Sequence, residues 1–332
     1  MRRCVTCVLP ETFPSVSFDE AGVCNYCRQY EHRQPRLESQ RETLRERFEK
    51  LLEEVRGLHA YDCLMAWSGG KDSTYTLLVL RENYDLNVLA YTFDNGFVSP
   101  TAFENMTRVS AQLGVDHMIV RPRFDLLRKV FWAAAGDQQP YHEKTLTRAS
   151  AVCTTCMNLA KGIALRIALT QNIPLIAYGW SPGQAPLTSA IFRRTPEMTR
   201  SMIEALAAPL RSLGGDAVRP YFPEDELLAE LKQAPCDIHP LAFLDYDEEK
   251  MIQAIGKLGW RRPLDTDPNS SNCLLNAYAN EVHKKRLGYH PYVMELASLV
   301  RQGHLSREEA LERLETAEDA SIVERIRKTL QP

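Results

Sequence analysis

The chain has 332 residues, of which 44% are apolar and 25% charged. These proportions exclude a disordered or fibrous protein and predict a globular chain with one large or two modest cores. No apolar run approaches the roughly 20 residues that cross a bilayer, and the first residues lack the apolar segment of a signal peptide. We therefore expect a cytoplasmic protein without membrane association. The formal charge of −3 argues against binding of long nucleic acid by overall charge, but it leaves local basic patches open.

Six of the nine cysteines form three CxxC pairs, which in a cytosolic chain favours metal or redox chemistry over disulfides. The first two pairs are Cys4 with Cys7 and Cys24 with Cys27, separated by sixteen residues. This spacing is typical of a structural Zn²⁺ site, and residues 1–34 are too few to build a core without such a ligand. The sequence therefore predicts a zinc knuckle. A redox-active thiol set is the alternative, which a closed four-sulfur site disfavours because it has no open coordination position.

The rest of the chain divides into three further segments. Residues 35–58 carry apolar side chains at helical spacing and predict a linker helix, whose many Arg and Glu residues we interpret as a solvated face. Between residues 59 and 245, short apolar runs alternate with helices, which predicts a Rossmann-like α/β fold with a parallel sheet covered on both faces. Residues 246–332 predict a helical C-terminal region. The predicted strands are residues 63–67, 87–93, 117–120 and 174–178.

A glycine-rich string, Ser68-Gly-Gly-Lys-Asp-Ser73, lies between the first predicted strand and a helix. Glycines let backbone amides approach an anion, and the following helix directs its free N–H groups and positive dipole end at that anion. The string therefore predicts a phosphate-binding loop. Its glycine spacing differs from that of the GxxxxGKS/T loop, so kinase or GTPase chemistry does not follow.

The whole string resembles the PP-loop signature SGGxDS of the ATP pyrophosphatases, a family that adenylates its substrates. The resemblance covers about residues 61–186 and implies an adenine nucleotide α-hydrolase-like fold that binds ATP and Mg²⁺. It implies that pyrophosphate is held by Ser68, Gly69, Gly70, Asp72 and Ser73. It also implies that Lys71 contacts a phosphate and that Asp72 helps to position Mg²⁺. A cation is chemically reasonable there, because attack on the α-phosphate develops charge on the bridging and leaving oxygens.

Two further segments fit this resemblance. Tyr91, Phe93 and Asp94 lie at the end of the second predicted strand and resemble the segment that holds adenine in the family. Gly179 ends a later strand and occupies the place of the family's strand-end glycine motif, although the two residues after it depart from the usual form. The resemblance therefore implies that these four residues also bind ATP.

The third CxxC pair, Cys153 and Cys156, opens a predicted helix, where the helix dipole is expected to lower the thiol pKa. Cys273 lies in a loop before another predicted helix and is expected to join this pair. Two cysteines in CxxC spacing and a third over a hundred residues later resemble the PP-loop tRNA thiolases, in which such a set holds a [4Fe-4S] cluster with one open iron. The same cysteines also fit a persulfide mechanism, or a second zinc site with His239 or Cys236.

The ends of the chain carry a different resemblance. The N-terminal cysteine segment and residues 301–310 resemble the N-acetyl sugar amidotransferases, which insert ammonia delivered by a partner glutaminase. Those enzymes need no second cysteine set, so the later cysteines favour sulfur over nitrogen. The residues predicted to carry catalysis are Lys71, Asp72, Cys153, Cys156 and Cys273.

We therefore predict adenylation of a carbonyl or amide oxygen, with release of pyrophosphate, followed by replacement of AMP by sulfur. The substrate is expected to be a small molecule such as a purine-type base, or a tRNA base, with a sulfur donor protein as partner. A zinc- and nucleic-acid-binding module without catalysis is a weaker alternative, because the chain lacks a basic surplus.

The C-terminal helices carry more apolar positions than a peripheral tail needs. These positions are Val293, Leu296, Leu299, Val300, Leu311, Leu314, Ile322, Ile326 and Leu330. Such stripes are buried either against the sheet or against a second subunit. Together with the family resemblance and the frequency of two-fold assemblies, they favour a homodimer.

Overall fold

The computed structural model describes residues 1–137 and 139–332. The helices are α1 (Asn25–Val55), α2 (Lys71–Leu78), α3 (Pro100–Leu113), α4 (Phe124–Ala135), α5 (Ala151–Thr170), α6 (Pro196–Gly214), α7 (Asp225–Ala229), α8 (Glu248–Lys257), α9 (Leu275–Leu287), α10 (Val293–Arg301), α11 (Arg307–Glu315) and α12 (Ala320–Leu330). The strands are β1 (Cys63–Ala66), β2 (Val88–Phe93), β3 (Asp116–Val120), β4 (Leu175–Tyr178), β5 (Ile191–Phe192) and β6 (Cys236–Ile238).

The six strands form one sheet in the order β3-β2-β1-β4-β6-β5. β1 pairs in parallel with both β2 and β4, and Cys63 lies opposite Val88 on one side and Leu175 on the other. Only β5 runs antiparallel to its neighbour among the described strands. The order reverses between β1 and β4, and in open α/β sheets a crevice for ligands forms at such a point, beyond the carboxyl ends of the strands. The predicted α/β fold with a Rossmann-like sheet is confirmed.

Helices cover both faces of the sheet because its strands have apolar side chains on both sides. Leu64 of β1 packs into a core formed with α4, α5 and α6. The neighbouring Cys63 and Met65 face the opposite side, where α1, α2 and α3 form a second core.

Helix α5 is long and apolar enough, by length and composition, to cross a membrane. In the fold it packs against α4, α6 and the sheet, and ten of its residues are buried, from Ala151 to Ala168. Its apolar character is therefore accounted for by the protein core.

The first helix begins earlier than the predicted linker helix. α1 starts at Asn25, inside the cysteine segment, and continues through Pro35 to Val55. Cys24 is its N-cap, with Sγ accepting a hydrogen bond from the amide of Cys27 at 3.4 Å. Cys24 and Cys27 therefore lie at the N-cap and in the first turn of α1, whereas the sequence predicts that the helix begins after them.

The apolar stripes of the C-terminal helices are buried within the chain. Leu296 and Leu314 pack with the N-terminal cysteine segment, whereas Ile326 and Leu330 join the core around α4 and α5. Because the chain itself buries these stripes, they are not evidence for a subunit interface. The homodimer remains a prediction that rests on the family resemblance and on the frequency of two-fold assemblies.

Gly179, immediately after β4, allows the sheet to contact the start of α2. A Cβ atom at this position would lie 2.3 Å from Cα of Ser73. We predict that Gly179→Ala lowers the free energy of unfolding by about 1–3 kcal/mol through overpacking, and that it abolishes nucleotide binding because the phosphate-binding loop is displaced. Thermal unfolding and calorimetric ATP titration measure both effects.

Gly256→Ala is the matched control. Within the described chain no heavy atom outside its own helix lies within 4 Å of a Cβ at Gly256, in α8, so this change is expected to stabilise the protein by about 0.5–1 kcal/mol. If Gly179→Ala binds ATP as the wild type does, the close contact does not position the loop.

Candidate active site

The SGGKDS loop (residues 68–73) joins β1 to α2 at the ligand-binding edge of the sheet. Gly69 has φ of +79°, in the left-handed region that favours glycine. Gly70 is the N-cap of α2. Because glycine has no side chain, the cap supplies no side-chain acceptor for the first amides of the helix. The amide of Lys71 donates to Oγ of Ser271 at 3.0 Å. The loop therefore offers backbone donors at a helix N-terminus, and one of them already binds an oxygen atom.

The side chains of Lys71 and Asp72 belong to a charged group that the sequence analysis missed. Nζ of Lys71 lies 2.9 Å from Oδ2 of Asp72, 2.9 Å from the hydroxyl of Tyr246 and 3.4 Å from Oε2 of Glu248. Burial alone would lower the pKa of Lys71, but the charges of Asp72 and Glu248 outweigh it and raise that pKa. Lys71 is thus a permanent cation held between two carboxylates beside the phosphate-binding loop.

Glu295 of α10 is a third carboxylate near this group. Oε1 accepts a hydrogen bond from Oγ of Ser181 at 2.7 Å. Burial, followed by the charge of Asp72, raises the pKa of Glu295 to about 7, although the Ser181 hydrogen bond opposes the shift. Glu295 therefore changes protonation near neutral pH. Glu295 lies more than a hundred residues after the SGGKDS loop and after the pair Cys153 and Cys156, so no local sequence motif connects it to them.

One cavity of about 320 Å³ connects the SGGKDS loop to the second cysteine set. Its floor is formed by the ends of β1, β2 and β4, and its walls by α5 and the segment before α9. The lining residues with a sequence-predicted role are Ser68, Gly70, Lys71, Asp72, Ser73, Tyr91, Phe93, Cys153, Cys156, Gly179 and Cys273. Gly69 and Asp94 are outside this lining. Phosphate-binding donors and thiols thus share a single chamber.

The three cysteines come together through two long-range contacts. Cys153 and Cys156 lie in the first two turns of α5, and Ser150 caps that helix by accepting from the amide of Cys153. Cys273 forms an isolated antiparallel bridge with Val98. Nδ2 of Asn95 then donates to Sγ of Cys156 at 3.5 Å and to Sγ of Cys273 at 3.4 Å. Asn95 is a further site residue that has no role in the sequence prediction.

The expectation of a low thiol pKa is wrong for these cysteines. Burial raises the pKa of Cys153 to about 12 and also raises that of Cys156 and Cys273. Desolvation of the thiolates outweighs the helix dipole and the hydrogen bonds from Ser150 and Asn95. The thiols therefore stay protonated at neutral pH unless a cationic ligand stabilises their thiolates.

The proposed adenine segment divides between the cavity and the surface. Tyr91 and Phe93 line the cavity, and the buried hydroxyl of Tyr91 has no hydrogen-bond partner among the residues that the structure describes. The carboxylate of Asp94 is already bound by Arg121 and accepts from the amide of Gly96 at 2.9 Å. Asp94 therefore shapes the turn after β2 instead of presenting a free acceptor.

A cation on α5 forms the opposite wall of the cavity. Nζ of Lys161 lies 4.4 Å from the ring centre of Trp180, and burial lowers the pKa of Lys161. In the described part of the chain it forms no ion pair. A cation at this place suits an anionic ligand in the cavity.

The N-terminal cysteines form a compact group outside this cavity. All four sulfur atoms lie within 4.8 Å of one another and are buried. The Cys4–Cys27 and Cys7–Cys24 sulfur distances are 3.8 and 3.7 Å. A tetrahedral ion with metal–sulfur bonds of about 2.3 Å requires sulfur separations of about 3.8 Å. The residues present therefore fit one four-coordinate metal ion.

The C-terminal helices support this cysteine group. Nη1 of Arg301 donates to Sγ of Cys7 at 3.5 Å. Arg307 donates to the carbonyl oxygens of Cys4 and Cys7. Cations and N–H groups around metal-bound thiolates stabilise their negative charge.

Comparison with known proteins gives distant relatives. No protein-family profile matches the chain. An uncharacterized protein of Methanocaldococcus jannaschii is 24% identical over 314 residues, covering 94% of this chain and 93% of the relative.

Three solved structures are similar in fold. The U34-tRNA thiolase NcsA from Methanococcus maripaludis with its [4Fe-4S] cluster is 15% identical, with a TM-score of 0.38 over 99% of this chain and 88% of that one. A predicted subunit of tRNA methyltransferase from Methanocaldococcus jannaschii is 16% identical, with a TM-score of 0.31 over 70% and 90% of the two chains. NH3-dependent NAD synthetase from Campylobacter jejuni is 13% identical, with a TM-score of 0.32 over 69% and 98%.

The fold and the position of the SGGKDS loop, between β1 and α2, agree with the predicted resemblance to the PP-loop ATP pyrophosphatases.

The four N-terminal cysteines generate a prediction about metal content. Cys4→Ser or Cys24→Ser should release about one equivalent of metal and lower the soluble yield, because ligation worth roughly 10 kcal/mol exceeds what this short segment gains by packing. Metal analysis of the purified proteins measures the released metal. Cys236→Ser, at a buried thiol outside both cysteine sets, should keep the metal. Soluble and fully active Cys4→Ser protein without metal contradicts a structural role.

Proposed function

We propose that this protein is a PP-loop ATP pyrophosphatase that adenylates a carbonyl or amide oxygen of its substrate and then inserts sulfur. The observation that carries the proposal is the single cavity that contains both the SGGKDS loop and three cysteines. Adenylation by itself requires the SGGKDS loop but no thiols. Thiol chemistry by itself requires the cysteines but no phosphate-binding loop. Their common chamber favours two consecutive reactions on one bound substrate.

The loop is proposed to perform the first reaction. The substrate oxygen attacks the α-phosphorus of ATP, the bond to the bridging oxygen breaks, and pyrophosphate leaves with the electron pair. The amides at the start of α2 and the ammonium of Lys71 stabilise the charge that develops on the leaving oxygens. Mg²⁺, for which Asp72 is the proposed ligand, supplies further positive charge there. Tyr91 and Phe93 form an aromatic wall suited to adenine.

The three cysteines are proposed to serve the second reaction. Cys153, Cys156 and Cys273 would hold a [4Fe-4S] cluster, which with three protein ligands leaves one iron free to carry sulfur. Asn95, which contacts two of the sulfurs, would orient them. In the cluster-free version, the persulfide of one cysteine would attack the activated carbon, and a second cysteine would release the thiocarbonyl product by forming a disulfide with the first.

The products follow from the bonds exchanged. A sulfur nucleophile adds to the activated carbon, the carbon–oxygen bond to AMP breaks, and AMP leaves with that oxygen. The sulfur comes from a donor protein or from inorganic sulfide, and the product is a thiocarbonyl compound. The substrate is a small molecule with a purine-type base, or the same kind of base within a tRNA. The proposed compartment is the cytoplasm, and the proposed metal of the N-terminal cysteines is zinc.

Nitrogen insertion with a partner glutaminase is the second candidate. It is favoured by the resemblance of the N-terminal cysteines and residues 301–310 to the N-acetyl sugar amidotransferases. In the structure these two segments pack on each other, through Arg301 and Arg307. They lie outside the cavity, so they bear on the architecture more than on the atom transferred. A binding module without catalysis leaves the cavity and its charged group without a role.

The SGGKDS loop generates a prediction about the nucleotide products. ATP should be cleaved to AMP and pyrophosphate, and Asp72→Ala should lower this rate at least about 100-fold, because the proposed ligand of the charge-stabilising Mg²⁺ is removed. Chromatography of the nucleotides measures both products. Asp125→Ala, an exposed acid at the start of α4, is the control and should keep the rate. Formation of ADP and phosphate contradicts the proposed reaction.

The second cysteine set generates a prediction about iron. Protein purified without oxygen should contain about four iron and four sulfide per chain, with broad visible absorbance. Cys153→Ala, Cys156→Ala and Cys273→Ala should each lose the iron, whereas Cys236→Ala should keep it. Iron and sulfide assays decide this independently of turnover. Zinc alone, together with active alanine variants, would favour nitrogen insertion instead.

A further inference from the structure

A second recess of about 360 Å³, here called the arginine groove, lies beside the catalytic cavity. It is bounded by α1, by the segment after β4 and by the end of α10. Four arginines from these distant parts of the chain line it: Arg33, Arg41, Arg148 and Arg301. The sequence analysis interpreted the charges of α1 as a solvated face. The fold brings two of them next to arginines more than a hundred residues away.

The arginine groove has an excess of positive charge. No acidic residue is among its described lining residues. None of the four arginines forms an ion pair within residues 1–137 and 139–332, although arginines elsewhere on the surface do, such as Arg193 with Glu54. The protein as a whole has a formal charge of −3. A concentration of four guanidinium groups on such a chain is therefore a local feature that favours an anionic ligand.

Neutral acceptors hold Arg148 and Arg41 in place, whereas Arg301 contacts a sulfur of the N-terminal cysteine group. Arg148 donates to the carbonyl oxygens of Gly183 and Gln184 at 3.1 and 2.9 Å. Arg41 donates to Oε1 of Gln302 at 2.5 Å. Arg301 donates to Sγ of Cys7 at 3.5 Å. The side chains are thus ordered without loss of their positive charge, which reduces the entropy cost of binding a phosphate.

The groove and the cavity share a wall. Gly183 and its neighbour Pro182 line the groove, while Gln184 lines the cavity. On α10, Glu295 faces the cavity and Ser298, one turn later, faces the groove. The groove and the cavity are therefore adjacent, on opposite sides of α10 and the segment after β4.

The groove also offers aromatic surface. Tyr26 and Tyr30 lie one turn apart on α1 and both line it. Guanidinium groups with interspersed tyrosines suit a phosphate backbone with unstacked bases, because the arginines bind phosphates and the aromatic rings stack on bases. The cavity beside the groove contains the SGGKDS loop, which is proposed to bind ATP, so the basic groove next to it suits a second, longer phosphate-bearing ligand.

We propose that the arginine groove binds RNA and that the base to be modified reaches the cavity from this side. This inference rests on the proposed function and names its substrate class: a base within an RNA, and not a free small molecule. The phosphates of nucleotides flanking the base contact Arg33, Arg41 and Arg148, and Tyr26 or Tyr30 stacks on a neighbouring base.

RNA binding without ATP tests the proposal. Unfractionated tRNA, fluorescently labelled, is titrated with the intact metal-loaded protein at several salt concentrations, and anisotropy gives the affinity. Wild-type affinity should fall steeply with salt. The double variant Arg33→Gln, Arg41→Gln should bind about tenfold more weakly, and the slope of log affinity against log salt should decrease by about 1 for each phosphate that is no longer bound. Arg33 makes no hydrogen bond in the described chain, so Arg33→Gln alone cannot weaken binding through misfolding.

Arg325→Gln is the matched control, since Arg325 is an exposed arginine on α12 that also lacks an ion pair in the described structure. It should bind RNA as the wild type does. The proposal is wrong if tRNA does not bind, if the double variant binds as tightly as the wild type, or if duplex DNA binds equally well with the same salt dependence. This experiment measures binding and not turnover. A requirement for the groove arginines in RNA binding would therefore hold even if AMP and pyrophosphate are never formed. Failure of RNA binding is thus distinguishable from failure of the proposed adenylation.

Discussion

The parallel pairing of β1 with β2 on one side and β4 on the other determines where this protein can act. All three strands end at the same edge of the sheet, so the segments that follow them converge. The loop after β1 supplies helix-terminal amides, the turn after β2 supplies Asn95, and the position after β4 must be glycine because the backbone of Ser73 lies against it. Polar groups from three separate parts of the chain thus meet at the carboxyl ends of these strands.

A second long-range contact joins the phosphate-binding loop to the sulfur atoms. The segment before α9 pairs with the segment before α3 through Ser99 N to Asn272 O, at 2.8 Å, and Leu274 N to Phe97 O, at 2.9 Å. This short ladder places Ser271 on the amide of Lys71. The Ser271 hydroxyl occupies the amide that a bound phosphate oxygen would use, and it lies two residues from Cys273. Under the proposed function, nucleotide binding would therefore act on the segment that carries the third cysteine.

The parts of the fold with local signals could be predicted from the sequence. Helix α3 is predictable from Pro100 to Leu113 because proline marks its first turn and Gly114, in the left-handed conformation, ends it. Helix α5 begins at Ala151, two residues before the CxxC pair that is predicted to open it, because Ser150 caps the helix. α4 and α6 were not predicted at all. Their apolar stripes pack on the sheet and on each other, and only that packing distinguishes them from connecting segments.

The site was predictable to the extent that its residues lie in motifs. The SGGKDS loop and the cysteine pairs have fixed spacings, whereas Tyr246, Glu248 and Glu295 reach Lys71 and Asp72 from about 175 to 225 positions later in the chain and carry no spacing signal. The same limitation explains the error in thiol pKa. Position on a helix can be inferred from sequence, but the depth of burial that opposes ionisation is a property of the assembled cavity.

Helix α10 connects the remaining parts. Along its nine residues, Glu295 faces the cavity, Ser298 faces the arginine groove, and Arg301 contacts the sulfur of Cys7. A metal ion held by the N-terminal cysteines would make that sulfur a thiolate and strengthen its hydrogen bond from the Arg301 guanidinium. It would thereby fix one end of a helix whose other end contributes the Glu295 carboxylate to the cavity. A knuckle that performs no chemistry can in this way determine the shape of both ligand-binding surfaces.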